Sequence, residues 1–328
     1  MKAVVYTGAG DAGVIQLKDV PTPEPGAGQV RVRVQASALN RADILQRKGR
    51  YPAPPGWPAD IPGLEYAGEV ESPGAGVTRW HAGDRVMGLV GGGGHAEYVV
   101  VNAAEAVGIP AGMDVAGAAA IPEAFLTAWD ALTARGRLQP GERVLIHAVG
   151  SGVGTAAVQL AKRLGAVTVG TSRSAGKLEQ ARVLGLDEAI DTSAEGFGTQ
   201  LTAPVDVILD VLGGPAFAEN LEALAPRGRM VLLGFLQGTG IPAGTDHGRP
   251  LLEPILRKRL EIIGSVMRSR PAAERAALVE DFEARVVPWF GAGAIRPVIG
   301  ATYPMAAVAE AHAAMEGDRV FGKIVMTW

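Results

Sequence analysis

The sequence predicts an α/β chain in two parts, a barrel-like β domain followed by a doubly wound parallel sheet. Three observations carry this. Short apolar or alternating runs between Gly and Pro turns fill the first third of the chain. After about residue 122, strand-like runs alternate with helical ones. A glycine-rich turn, Gly150, Gly152 and Gly154, stands straight after the first strand of that second part.

The elements follow in order. "KAVVYT" is a short apolar run, and "QVRVRVQASAL" alternates, Val30, Val32 and Val34 on one face and Arg31 and Arg33 on the other. That is the period-2 pattern of a half-buried strand. "GLEYAGEVES", "DRVMGLV" and "HAEYVVVN" follow, separated by turns such as "PEPGAG", "SPGAG" and "HAGD". "RVLIHA" then reads as a buried strand and "TAAVQLAKRLG" as a helix stopped by Gly165. "AVTVGTS" and "AGKLEQARVLG" repeat the pair. "EAIDTS", "VDVILDVLGG", "RGRMVLLGF" and "LEIIGSVM" complete six strands between residues 143 and 267, a full Rossmann unit. A helix from about Pro271, the extended "IRPVIGATYP", the helix "MAAVAEAHAAME" and the strand "FGKIVMTW" form a tail too small for its own core. It is expected to complete the first domain. The expected division is 1–122, completed by 268–328, and 123–267.

Composition narrows the function. The 328 residues carry a formal net charge of −3, which draws the chain to neither nucleic acid nor an anionic membrane. There is no cysteine, so disulfides, thiolate zinc sites and a thiol nucleophile are excluded. The five histidines, His81, His95, His147, His247 and His312, show no ligand spacing, and no metal is expected. No apolar leader and no apolar run long enough for a membrane span is visible. A cytoplasmic protein is the expectation.

The chemistry starts at "HAVGSGVGTAAVQ". Glycines at a strand-to-helix turn let the backbone approach a pyrophosphate, and the helix N-terminus offers free N–H groups. Gly150, Ser151, Gly152 and Val153 are therefore candidate cofactor residues, with Ser151 replacing a glycine of the usual fingerprint. About 20 residues further on, an NAD site usually carries an acid for the ribose hydroxyls. Here stand Thr171, Ser172, Arg173, Ser174 and Lys177. Cations and hydroxyls at that point suit a 2′-phosphate, so NADPH is expected over NADH.

"SALNRADILQRKGRYP", "IPGLEYAGEV", "GGGGHAEYVVV", "AAAIPEAFLTAWDAL", "GERVLIHAVGSGVGTAAVQLAK", "VILDVLGG", "RSR" at 268–270 and "FGKIV" run in order along the whole chain. With them the sequence resembles the zeta-crystallin-type quinone oxidoreductases. These are a zinc-free branch of the medium-chain dehydrogenase/reductase superfamily, with a GroES-like β-barrel domain and a Rossmann domain. The resemblance implies NADPH-dependent reduction of a quinone held in a cleft between the domains, without metal. Asn40 falls where zinc relatives carry the first metal cysteine and Leu64 where they carry a metal histidine. Asn40 is then expected near the nicotinamide, Tyr51 on the wall of the substrate cleft, and Thr127 on the nicotinamide side. Gly152 and Val153 would meet the pyrophosphate, and Gly234, Phe235, Leu236, Val266 and Met267 would flank the nicotinamide.

One position departs from the family. Many relatives have Asn-Tyr after the third Rossmann strand, where this chain has Asp191-Thr192. That adds a negative charge near the proposed 2′-phosphate pocket. Tyr51 stands as a possible proton donor or as an aromatic wall. Asp43 and Glu65 stand as acids, as caps of turns or as ties between the two domains. The competing activity is an NADPH-dependent enal or enone reductase on the same scaffold. An apolar edge at "MVLLGFLQGTGIPAG" points to a homodimer.

Overall fold

The computed structural model describes residues 1–241 and 251–328. Contacts divide it into two compact units, Met1–Leu126 with Met267–Trp328, and Thr127–Val266. Residues 242–250 lie outside the described residues, and with them the last three residues, 242–244, of the apolar edge segment.

The first unit holds β1 (Lys2–Tyr6), β2 (Ile15–Asp19), β3 (Gln29–Leu39), helix α1 (Arg41–Arg47), β4 (Glu65–Pro73), β5 (Arg85–Leu89), β6 (Tyr98–Asn102), β7 (Ala106–Gly108) and α2 (Val115–Ala119). Helix α3 (Pro122–Asp130) follows and contains the first division point. β2 was not foreseen. Four of its five residues are exposed, so "IQLKD" carries no core-facing alternation, and only its antiparallel pairing with β1 makes it a strand.

β3 is the central strand, with Val30, Val32 and Val34 buried as its alternation requires. It pairs antiparallel with β4 and β6. Register shifts against β4 at Arg31/Val32 and Val34/Ala36 bend it, as β-bulges do. Val30, Val32, Tyr66, Val86 and Val99 fill the core beneath. This curved, mostly antiparallel sheet is the GroES-like domain.

In the second unit β8 (Arg143–Ile146), α4 (Gly152–Arg163), β9 (Val167–Ser172), α5 (Ala175–Val183), β10 (Glu188–Asp191), β11 (Val205–Asp210), α6 (Phe217–Ala223), β12 (Leu224–Leu232), α7 (Leu252–Lys258) and β13 (Glu261–Gly264) alternate. The six strands lie in the order β10-β9-β8-β11-β12-β13, with every pair parallel. That is the Rossmann order, and the strand order reverses at β8. Leu145, Val169, Ile190, Ile208 and Met230 line its core. β12 and β13 end earlier than their apolar runs suggest. Gly234, Phe235 and Leu236 therefore lie in the turn after β12, and Val266 and Met267 just past β13.

The chain then returns to the first unit through α8 (Ala272–Arg285), α9 (Val287–Gly291), β14 (Ile299–Pro304), α10 (Val308–Glu316) and β15 (Lys323–Thr327). β15 pairs antiparallel with β3 and parallel with β14.

Candidate active site

In the second unit, the predicted cofactor residues gather at the carboxyl edge of the parallel sheet. The glycine turn leaves β8 there, and Val149 N–H donates to Thr171 O at 3.0 Å, fastening the turn to the end of β9. Ser151 is the N-cap of α4, its hydroxyl accepting Gly154 N–H at 3.0 Å. The N–H groups of Gly152 and Val153 point out of the helix start without an intrahelical acceptor, as the first turn demands. Gly154 admits no side chain, since a Cβ there would stand 2.6 Å from Val149 O and 2.7 Å from Ala148 O. The turn is thus shaped by its own backbone for close approach of an anion to a helix N-terminus. The hydroxyl of Thr127 is buried with no hydrogen-bond partner among the described residues. These features fit a dinucleotide.

β9 ends on Thr171 and Ser172, and Ser174 caps α5 through its hydroxyl and Lys177 N–H. Arg173 is exposed and Lys177 half-buried in this segment. Asp191 is the register partner of Ser172 on the neighbouring strand. Its carboxylate accepts Ser193 N–H at 2.8 Å, and contacts with Ser193 hold it below the usual carboxylate range. Leu236 N–H donates to Val211 O at 2.8 Å, which holds the 234–236 turn at the same sheet edge.

His147 is a packed residue rather than a ligand. It is 1% exposed, bonded to Thr171 Oγ1 at 2.9 Å and Asn220 Oδ1 at 2.7 Å, and burial depresses its pKa.

In the first unit a buried polar cluster surrounds Asn40. Asn40 sits between β3 and α1. Its amide donates to Glu65 Oε1 at 2.7 Å and to Ala38 O at 3.2 Å. Lys323 Nζ lies 2.7 Å from Glu65 Oε1, 2.5 Å from Asn40 Oδ1 and 3.2 Å from Leu39 O. Glu65 Oε2 accepts Glu123 N–H at 2.8 Å, a carboxylate at the start of α3. Asp43 is a cap: its carboxylate accepts the N–H groups of Asn40 and Gly63 at 2.8 and 3.0 Å. Gly63 has φ +99°, and a Cβ on it would stand 2.3 Å from His95 N, so no other residue fits there.

This donor set does not fit zinc. Leu64 presents hydrocarbon, and the Lys323 ammonium already sits against both Asn40 and Glu65, where a second cation would be repelled. Among the described residues no three His, Cys, Asp or Glu converge on one point.

Beside this cluster lies a small pocket lined by Leu64, Gly91, Glu123, Met267, Arg268 and Arg275. Arg268, from the "RSR" run, is 7% exposed. Its guanidinium donates to Gly91 O at 2.7 Å, Tyr51 O at 3.1 Å, Pro52 O at 3.4 Å and Gln46 Oε1 at 2.6 Å. It also stands 5.1 Å from the centre of the Tyr51 ring. One side chain thereby sets the proline-rich loop 49–62, whose course the sequence does not reveal. Tyr51 is half-buried, and burial, then the Glu123 charge, raise its pKa. No described hydrogen bond joins Tyr51 to Asn40.

Sequence reasoning missed Glu123, Arg268 and Lys323 as parts of this site. For Glu123 a signal existed: it is the single charge in the apolar run "AAAIPEAFLTAW".

Comparison with known proteins agrees with this architecture. Residues 26–111 match the "Alcohol dehydrogenase GroES-like domain" model and residues 152–284 the "Zinc-binding dehydrogenase" model. The quinone oxidoreductase of Pseudomonas aeruginosa is 34% identical over 337 residues, 99% of each chain. The human synaptic vesicle membrane protein VAT-1 homolog is 32% identical over 342 residues, 99% of this chain and 86% of that one. The crystal structure of the Pseudomonas syringae quinone oxidoreductase superposes with a TM-score of 0.88 at 28% identity, covering 100% of this chain and 99% of that one. The CurK enoyl reductase superposes with a TM-score of 0.86 at 25% identity, covering 99% and 98%. Members of this superfamily bind a nicotinamide cofactor. With both domains matched and a full-length relative above 30% identity, the chain belongs to the quinone oxidoreductase-type, zinc-free medium-chain dehydrogenases/reductases.

Proposed function

We propose that this oxidoreductase is an NADPH-dependent quinone reductase that works without metal. The observation that carries the cofactor choice is the end of β9, where Thr171, Ser172, Arg173 and Ser174 stand and no carboxylate does. Arg173, Ser174 and Lys177 would hold the 2′-phosphate by charge-assisted hydrogen bonds. Asp191 opposes this as a nearby charge, but its carboxylate is engaged by Ser193. Gly150, Ser151, Gly152 and Val153 would bind the pyrophosphate. Thr127, Gly234, Phe235, Leu236, Val266 and Met267 would border the nicotinamide. The cofactor supplies a hydride when bound.

A quinone accepts electrons readily, so positioning and exclusion of water supply most of what the protein must add. Asn40 is held rigid by Glu65 and Lys323 and serves to orient the nicotinamide or the acceptor. Tyr51, stacked on Arg268, serves as an aromatic wall. Its raised pKa makes it a poor acid at neutral pH.

Steady-state kinetics test this reading. Turnover of 1,2-naphthoquinone and 1,4-benzoquinone with a lower KM for NADPH than for NADH is expected. Equal or lower KM for NADH overturns the cofactor choice. Faster turnover of a 2-alkenal than of either quinone replaces the reaction by the second reading, enal or enone reduction, which the likeness to CurK enoyl reductase favours.

β13 is the edge strand of the parallel sheet, and its inner residues Ile262 and Ile263 are half-buried. A homodimer joined along that edge follows the family pattern, and sedimentation equilibrium tests it. No described helix is long and apolar enough to cross a membrane. A cytoplasmic location is part of the proposal.

A further inference from the structure

Glu123 is the acidic residue of the pocket, and its side chain is half-buried. Its backbone N–H is bound to Glu65, but its carboxyl accepts no hydrogen bond among the described residues. The two guanidinium groups lining the same pocket are already committed. Arg268 donates to Gly91, Tyr51, Pro52 and Gln46. Arg275 grips Glu105 with Nε and Nη2 at 2.6 and 3.1 Å and gives Nη1 to Arg270 O. Leu64 and Met267 make the rest of the wall near Glu123 apolar.

A carboxyl so placed favours its neutral form. Burial is the largest cause and Glu65 the next. Asp43 acts in the same direction, while Lys323 and Arg268 oppose them, and the balance pushes Glu123 up to about 8. The ionisation of Tyr51 is itself disfavoured, by burial first and by the Glu123 charge next. Glu123 and Thr127 are four residues apart on α3, so both side chains leave one face of that helix.

We propose that Glu123 is a catalytic acid, holding at neutral pH the proton that completes reduction of the substrate. This rests on the reductase reading above. A quinone that has accepted a hydride has gained two electrons and one proton, and one oxygen remains anionic. The O–H bond of Glu123 breaks, and its proton forms the second hydroquinone O–H. The electron pair stays on the carboxylate, and water returns the proton afterwards. For an enone the same proton goes to the enolate. Such a donor contributes more for an enolate than for a hydroquinone anion, which is the weaker base.

The test pairs infrared spectroscopy of the protein without cofactor with kinetics of Glu123→Gln. The wild type is expected to show a protonated-carboxyl C=O band at pH 7 that disappears on titration through about 8 and is missing from the variant. Turnover in the wild type is expected to fall above that pH. In Glu123→Gln it is expected to be about 10²-fold lower and without that limb. Tyr51→Phe should keep the limb. Absence of the titrating band, or an unchanged rate and pH profile in Glu123→Gln, overturns the proposal. If Glu123→Gln does not fold, Glu123→Asp and the wild-type band decide. If no quinone or alkenal is turned over, the reductase reading fails while the infrared result still reports where the proton is held.

Discussion

Lys323 Nζ lies 2.7 Å from Glu65 Oε1, and the two side chains are 5% and 0% exposed. The pair joins the first strand residue of β15 to the first of β4 and carries Asn40 as its third member. Removing one charge from such a pair leaves the other buried and uncompensated. Lys323→Met should therefore cost about 3–5 kcal/mol, and adding Glu65→Gln should recover a large part of it. Urea denaturation of the two single variants and the double variant measures the coupling.

Arg268 organises the loop that carries Tyr51. Arg268→Lys cannot reproduce a fork that reaches Gly91, Tyr51 and Gln46 together. Faster proteolytic cleavage within residues 49–62 is expected. KM for the quinone should rise about tenfold and kcat fall less, because loss of one charged hydrogen bond is worth about 1.5–3 kcal/mol. A kcat loss without a KM change would contradict a positioning role.

The β9–α5 corner should decide cofactor preference. Arg173→Ala with Lys177→Ala should raise KM for NADPH about 10- to 100-fold and leave NADH nearly unaffected. Asp191→Asn should move preference the other way, towards NADPH, by a smaller factor, since its charge sits on the strand beside Ser172 and already accepts Ser193 N–H. Initial rates with both cofactors at constant ionic strength read this directly.

Glu123 also has a signature in stability. Below the carboxylate's ordinary value of 4.5, folded and unfolded chains both hold its proton. Between there and about 8, the folded chain keeps a proton that the unfolded chain has released. The stabilisation tied to that proton is therefore lost as pH rises through the window. Glu123→Gln lacks this dependence. Its Tm minus that of the wild type should increase from pH 5 to about pH 8 and level off above it, and a constant difference across that window would speak against a neutral carboxyl.

What the sequence made legible was local. The alternation in "QVRVRV" placed β3 and its buried face, and "HAVGSGVG" between strand and helix placed the cofactor turn. The lack of cysteine removed zinc thiolate chemistry before any geometry was known. The rest depended on partners far apart in the chain. Lys323 and Glu65 are separated by 258 positions, and Arg268 and Gln46 by 222. Periodicity reports which face of an element is buried. It carries no record of which distant charge will share the burial. β2 failed for a related reason, because its strand character comes from pairing with β1 and not from a buried face.

The order of biosynthesis gives the Glu65–Lys323 pair another meaning. Residues 127–266 emerge as one uninterrupted stretch and contain every strand of their own sheet. The unit around them does not. When β4 leaves the ribosome, the ammonium that neutralises Glu65 is still 258 codons away. Until β15 is made, β3 lacks a neighbour and the carboxylate cannot be buried without penalty. The inserted Rossmann unit thus completes first, and the host unit closes around its own charge only when translation reaches the last strand.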